Sequence, residues 1–129
     1  MNKSIWKSSS SKQKKPWGSE TMWTAVGRAA GKIIKMNSGH RTSFKYHSIK
    51  DEVLFILSGE IVVLYGTSRT INDPVSAPYE KHILAPGDVL NVQSGCPYRL
   101  EALVDSEIVE IGFGSKSDAV MLSDDYGRV

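Results

Sequence analysis

The side chains of this sequence that could do chemistry are few. It has three histidines (His40, His47, His82) and one cysteine, Cys96. Arg41, Lys45 and His47 fall in one short run in which alternate residues share a face if the run is extended, so Lys45 and His47 share one face and Arg41 shares their phase. An imidazole can move a proton near neutral pH, whereas a protonated lysine has no lone pair and repels a cation. Arg99 is out of phase with its neighbour Tyr98 and is expected to face away from it. A Gly-rich phosphate loop is missing. A lone cysteine can neither close an intramolecular disulfide nor build a Cys-rich zinc site, and Cys96 reads as an inert thiol. His40 follows a turn and His82 lies at a strand start, so both read as surface residues.

The elements that must position these residues are short. From Trp17 onward, β-like runs alternate with turn residues. The expected strands are Thr21–Val26, Gly31–Met36, Thr42–His47, Glu52–Leu57, Glu60–Tyr65, Lys81–Leu84, Asp88–Val92, Tyr98–Ala102 and Glu107–Phe113. Turns such as Asn37-Ser38-Gly39, Ser58-Gly59 and Ala85-Pro86-Gly87 separate them, and Gly66 to Pro78 reads as a surface loop. No three-turn amphipathic helix stands out, so an antiparallel sandwich or barrel is expected. Trp17 and Trp23 are expected to pack in the core, with packing over a barrel end or stacking in a sugar site as the alternatives.

The 129 residues are one domain's worth, and 40% apolar with 23% charged residues is the composition of a chain that buries a core. Five lysines and no acid lie in residues 1–15, leaving eleven basic against fourteen acidic side chains in the rest. Residues 1–15 are expected to be a flexible basic leader and 16–129 the folded domain. The leader has a single aromatic, Trp6, too few for a base-stacking platform, so no nucleic-acid partner is expected. No apolar run approaches the roughly twenty residues of a membrane span, and cysteine usage fits a reducing compartment. A cytoplasmic protein without a membrane partner is the expectation.

Two segments resemble the paired motifs of the cupin family: Gly39-His-Arg-Thr-Ser-Phe-Lys-Tyr-His47 followed by Glu52 and Gly59, and Pro86-Gly-Asp running through Gly95-Cys-Pro-Tyr98. Lys15-Pro-Trp-Gly18, Tyr98-Arg-Leu-Glu101 and Asp124-Asp-Tyr-Gly-Arg128 narrow the resemblance to the type II mannose-6-phosphate isomerase cupin. It implies an all-β fold, a single cupin jelly roll (double-stranded β-helix), and a homodimer paired through a sheet edge. It also implies a divalent metal held by four side chains. The positions matching those ligands are Lys45, His47, Glu52 and Tyr98, so two of the four are kept.

Two readings of this altered quartet stand. In one, the Lys45 ammonium takes the metal's place and neutralises Glu52, and no cofactor is needed. In the other, His47, Glu52 and a deprotonated Tyr98 still hold one divalent metal. The resemblance implies a small-molecule sugar ligand and aldose–ketose isomerisation, which needs a base and a charge to stabilise an enediolate. His47 is then the base, Lys45 the fixed cation and Tyr98 the proton donor. Metal-free nucleotide-sugar isomerases and epimerases, and a non-catalytic carbohydrate-binding barrel, are the alternatives. A phosphate would be gripped by Arg128, with Arg41 second.

Overall fold

In the computed structural model, residues 2–24, 27, 29–114 and 119–128 are described. Eleven strands form among them: β1 Ser11–Lys15, β2 Gly18–Thr24, β3 Ala29–Met36, β4 Phe44–His47, β5 Asp51–Ser58, β6 Ile61–Tyr65, β7 Glu80–Leu84, β8 Val89–Val92, β9 Tyr98–Ala102, β10 Ser106–Phe113 and β11 Ala119–Ser123. They build two antiparallel sheets, ordered β1-β2-β3-β10-β5-β8 and β11-β4-β9-β6-β7. Among the described residues no helix forms, and none is long and apolar enough to cross a membrane.

All nine expected strands form, with ends shifted by a residue or a few; Val26, the expected end of the first, lies outside the described residues. Two strands were not expected. β1 comes from the last five residues of the expected leader and pairs along its whole length with β2. Its sequence, Ser-Lys-Gln-Lys-Lys, has no apolar alternation to announce a strand; it adds to the open edge of β2 through backbone hydrogen bonds and stays almost wholly exposed. Residues 2–10 form no strand and are exposed. β11 lies on the edge of the second sheet against β4.

Inward-pointing residues of the two sheets meet in two zones. Met36, Ile34, Ile108, Ile56 and Leu54 from the first sheet face Ile61, Val63, Leu100 and Ala102 from the second, closed at one end by Trp17. This is the apolar core, and Trp17 belongs to it as expected. Further along the same strands the inward residues turn polar. On β10 the buried phase runs Ser106, Ile108, Glu110, Gly112, and on β5 it runs Ile56, Leu54, Glu52. The barrel is thus apolar towards one end and charged towards the other. The tight β5–β6 turn needs Gly59, whose φ of 92° is in the left-handed region and whose Cβ would meet the Ser106 side chain at 2.1 Å.

Candidate functional site

Register brings the charged zone together. Glu52 on β5 stands opposite Gly112, and Glu110 stands opposite Leu54, which makes the two acids diagonal neighbours on the inner face. Lys32 on β3 is directly opposite Glu110. From the other sheet, Lys45 on β4 pairs with Tyr98 on β9, and His47 lies two residues on, on the same face. The shared phase of Lys45 and His47 read from the sequence is the phase that points inward.

Glu52 is the hub. Its Oε1 accepts from the Tyr98 hydroxyl at 3.0 Å and lies 3.2 Å from His47 Nε2. Its Oε2 accepts from Lys50 Nζ at 3.3 Å. The same ammonium reaches Glu110 Oε2 at 3.5 Å. Lys32 joins the edge of the cluster, 3.9 Å from Glu110 and 3.5 Å from Glu20, and Lys15 sits 4.0 Å from the other Glu20 oxygen. Glu52, Glu110, Glu20, His47 and Lys50 are all buried. Buried charges persist only when paired and hydrogen-bonded, as these are.

Burial alone would raise both carboxyl pKa values, yet the two acids part company. At Glu52, hydrogen bonds from His47 and Glu110 and the nearby Lys50 charge outweigh burial and hold the carboxyl well below the usual range. At Glu110, burial, the Glu52 charge and the hydrogen bond to Glu52 act together and push it up to about 7. The pair therefore shares one proton, carried by Glu110 and donated to Glu52. Burial would lower Lys50, but Glu110 and Glu52 overrule it and keep it charged. Burial and the Glu52 charge raise Tyr98 well above the ordinary phenol, so it stays protonated.

The cation that neutralises Glu52 is thus Lys50, from the turn after β4, where the sequence reading expected Lys45. The bend at 48–50 turns Lys50 back over the sheet, and its side chain lies where a Cβ on residue 112 would be, 2.3 Å from its Cε. Gly112 is what makes room. Substituting Gly112→Ala is expected to push Lys50 out of the cluster and destabilise the fold by about 1–3 kcal/mol in urea denaturation. An unchanged midpoint would place the Lys50 side chain elsewhere. Lys45 itself points inward, half-buried, and makes no ion pair or hydrogen bond with Glu52 among the described residues. Burial lowers its pKa against the opposing pull of Glu110 and Glu52.

A cavity of about 260 Å³ opens onto this cluster, walled by Met22, Trp23, Glu20, His47 and the lysines 15, 32, 45 and 50. Trp23, expected in the core, instead lies against Gly31 and lines this cavity. A second hollow of about 280 Å³ is lined by Tyr98, which does not line the first, and by Cys96. Burial raises the Cys96 thiol, which suits the inert reading.

Arg128 and Arg41 do not join the cluster. Arg128 is clamped to Asp124, with contacts of 3.0 and 2.7 Å, which lowers that carboxyl to about 2. Arg41 makes two 2.7 Å hydrogen bonds to Asp125, and Arg99 faces away from the barrel, with Nε on the Thr42 carbonyl at 3.0 Å. Arg41 and Arg99, both on Asp125, fasten the C-terminal segment to the outside of the second sheet, while the Arg128–Asp124 pair closes a contact within that segment. His40, 6.3 Å from the Tyr126 ring, belongs to the same contact.

The donor set does not suit a divalent ion. Only His47 and Glu52 of the expected quartet are ligand types, Tyr98 is held in its protonated form, and Lys50 already presents a cation to Glu52. Among the described residues no three His, Cys, Asp or Glu side chains converge as a metal site.

Two antiparallel sheets rolled around an inward-facing cluster of this kind make a single all-β jelly roll, the double-stranded β-helix of the cupins. Its backbone is similar to oxalate decarboxylase from Bacillus subtilis, with a TM-score of 0.74 and 15% identity over 88% of this chain and 30% of that one. It is similar to the capsular polysaccharide assembling protein CapF from Staphylococcus aureus, with a TM-score of 0.70 and 16% identity over 92% of this chain and 34% of that one. KdgF from Halomonas sp. matches with a TM-score of 0.68 and 17% identity, over 84% of this chain and 89% of that one. The chain spans about a third of the first two and most of the third. No family model and no curated protein matches the sequence.

Proposed function

We propose that the barrel is a metal-free sugar isomerase, similar in kind to the type II mannose-6-phosphate isomerases, acting on the open-chain form of an anionic sugar. The observation that carries the reading is the His47–Glu52–Tyr98 hydrogen-bonded cluster beside a lysine-walled cavity. Glu52 lies 3.2 Å from His47 Nε2 and orients the imidazole, the group that moves the proton. Moving a proton between adjacent carbons passes through an enediolate. Lys50, kept charged by its two acids, and Lys32 supply the positive field for it. Tyr98, protonated and bonded to Glu52, is the donor side of the relay. The lysines lining the cavity favour a phosphorylated or acidic substrate.

The test is turnover of mannose 6-phosphate and fructose 6-phosphate alongside a panel of nucleotide sugars, using wild type and His47→Ala. Loss of the base is expected to lower kcat by about 10²–10⁴. Absence of turnover in wild type, or full activity in His47→Ala, would sink the catalytic reading and leave a carbohydrate-binding barrel. A nucleotide-sugar isomerase or epimerase is the second reading. It is favoured by the poor fit of the donor set to a metal, and turnover confined to nucleotide sugars would select it.

A further inference from the structure

The four lysines at the cavity are not equivalent. Lys15 and Lys32 lean on Glu20, Lys32 also on Glu110, and Lys50 bridges Glu52 and Glu110. Lys45 alone among these four has no carboxylate within ion-pair distance among the described residues. Its cross-strand neighbours explain this: β4 places it opposite Tyr98 on one side and Met121 on the other, so neither adjoining strand offers an acid directly across from it. Its side chain nonetheless reaches the cavity wall that holds Met22 and Trp23. A half-buried amine beside aromatic and thioether groups, with other ammonium ions facing the same space, is the setting in which lysines act as nucleophiles on carbonyl carbon.

We infer that Lys45 is a carbonyl-capturing amine, and that the cavity takes an aldehyde or ketone that also carries an acidic group. The Lys45 nitrogen lone pair attacks the carbonyl carbon and forms a C–N bond, and the π pair moves to oxygen, which takes up the proton released by nitrogen. The hydroxyl then takes the remaining proton of that nitrogen, the C–O bond breaks, water leaves, and the nitrogen lone pair closes a C=N bond. The Lys32 and Lys50 charges hold the acidic group of the ligand and stabilise the oxygen while it is negative. The inference uses the same cavity as the isomerase reading, but capture needs no turnover, so the two can fail separately.

Glyoxylate with cyanoborohydride is the probe: the reductant delivers hydride to the imine carbon and leaves a carboxymethyl group on the amine. Peptide mapping by mass spectrometry after short exposure is expected to find Lys45 modified at least about tenfold faster than the leader residues Lys3 and Lys7, the activation expected of a desolvated amine. In Lys45→Arg the rapid phase should vanish while the melting temperature stays close to wild type. Labelling of Lys45 no faster than of Lys3 and Lys7 would overturn the inference, as would a rapid phase that survives in Lys45→Arg. Capture without isomerisation would leave the inference standing and remove the isomerase reading.

Discussion

Exchanging Lys50 for methionine is expected to lower the free energy of unfolding at pH 7 by about 3–5 kcal/mol, the range for removing one partner of a buried ion pair. Methionine fills much the same volume, so the loss is electrostatic rather than a cavity effect. Without the ammonium, Glu52 and Glu110 face each other with Lys32, 3.9 Å from Glu110, as the remaining ion-pair partner of that acid. The acids can retreat by binding a second proton, so the variant should recover part of its deficit in acid. The double variant Lys50→Met/Glu110→Gln should also recover part, because the repelling acid has gone. A coupling of about 0.5–3 kcal/mol is expected between the two substitutions. Urea denaturation of the four proteins of the cycle measures it. A single-variant cost below about 1 kcal/mol, the scale of an exposed pair, would mean that Lys50 is hydrated and the cluster is held by other groups.

That prediction concerns a residue the sequence did not single out, and the reason is physical. Strands were legible by two signals: β5 and β6 are unbroken apolar runs bounded by the Ser58-Gly59 turn, and β9 alternates Tyr98, Leu100 and Ala102 with Arg99 and Glu101. The shared face of Lys45 and His47 followed from their spacing, whereas the inward placing of that face and of Tyr98 came from the resemblance alone. Glu110 was hidden because the more apolar phase of β10 is Val109, Ile111 and Phe113, whereas the phase that is buried is Ser106, Ile108, Glu110 and Gly112. Lys50 carried no signal. It lies in a bend, where no period applies, and only the three-dimensional return of the chain over Gly112 brings it to Glu52. β1 was illegible because an edge strand of polar residues is held by backbone bonds that any sequence without proline can make. The pairing of Arg41 with Asp125 was illegible for a related reason, since the two lie far apart along the chain and nothing local announces the match, whereas Arg128 is held by Asp124 only four residues away.

The shared proton gives the second large effect, a stability profile with an unusual slope. Glu110 has a folded pKa of about 7 against an ordinary 4.5. Below pH 4.5 the carboxyl is protonated in both folded and unfolded chains, and its contribution is fully present. Between about 4.5 and 7 the unfolded chain loses this proton while the folded barrel retains it, so stability falls as pH rises, by up to about 1.4 kcal/mol per unit. Above the folded value the decline stops. Glu52 has the opposite sign: its depressed pKa contributes stability above 4.5 that is lost as pH falls. The pair together therefore favours a maximum near the ordinary carboxylate pKa and a decline towards neutrality. Glu110→Gln keeps a donor for Glu52 without a titrating proton. It should flatten the profile between pH 5 and 7, so that its stability relative to wild type rises by up to roughly 3 kcal/mol across the window. Every other titrating group is common to both proteins, so the difference between the two urea-denaturation profiles isolates Glu110. If that difference does not change with pH, Glu110 is ionised throughout, and the barrel holds two full negative charges that Lys50 and Lys32 must neutralise without a bound proton.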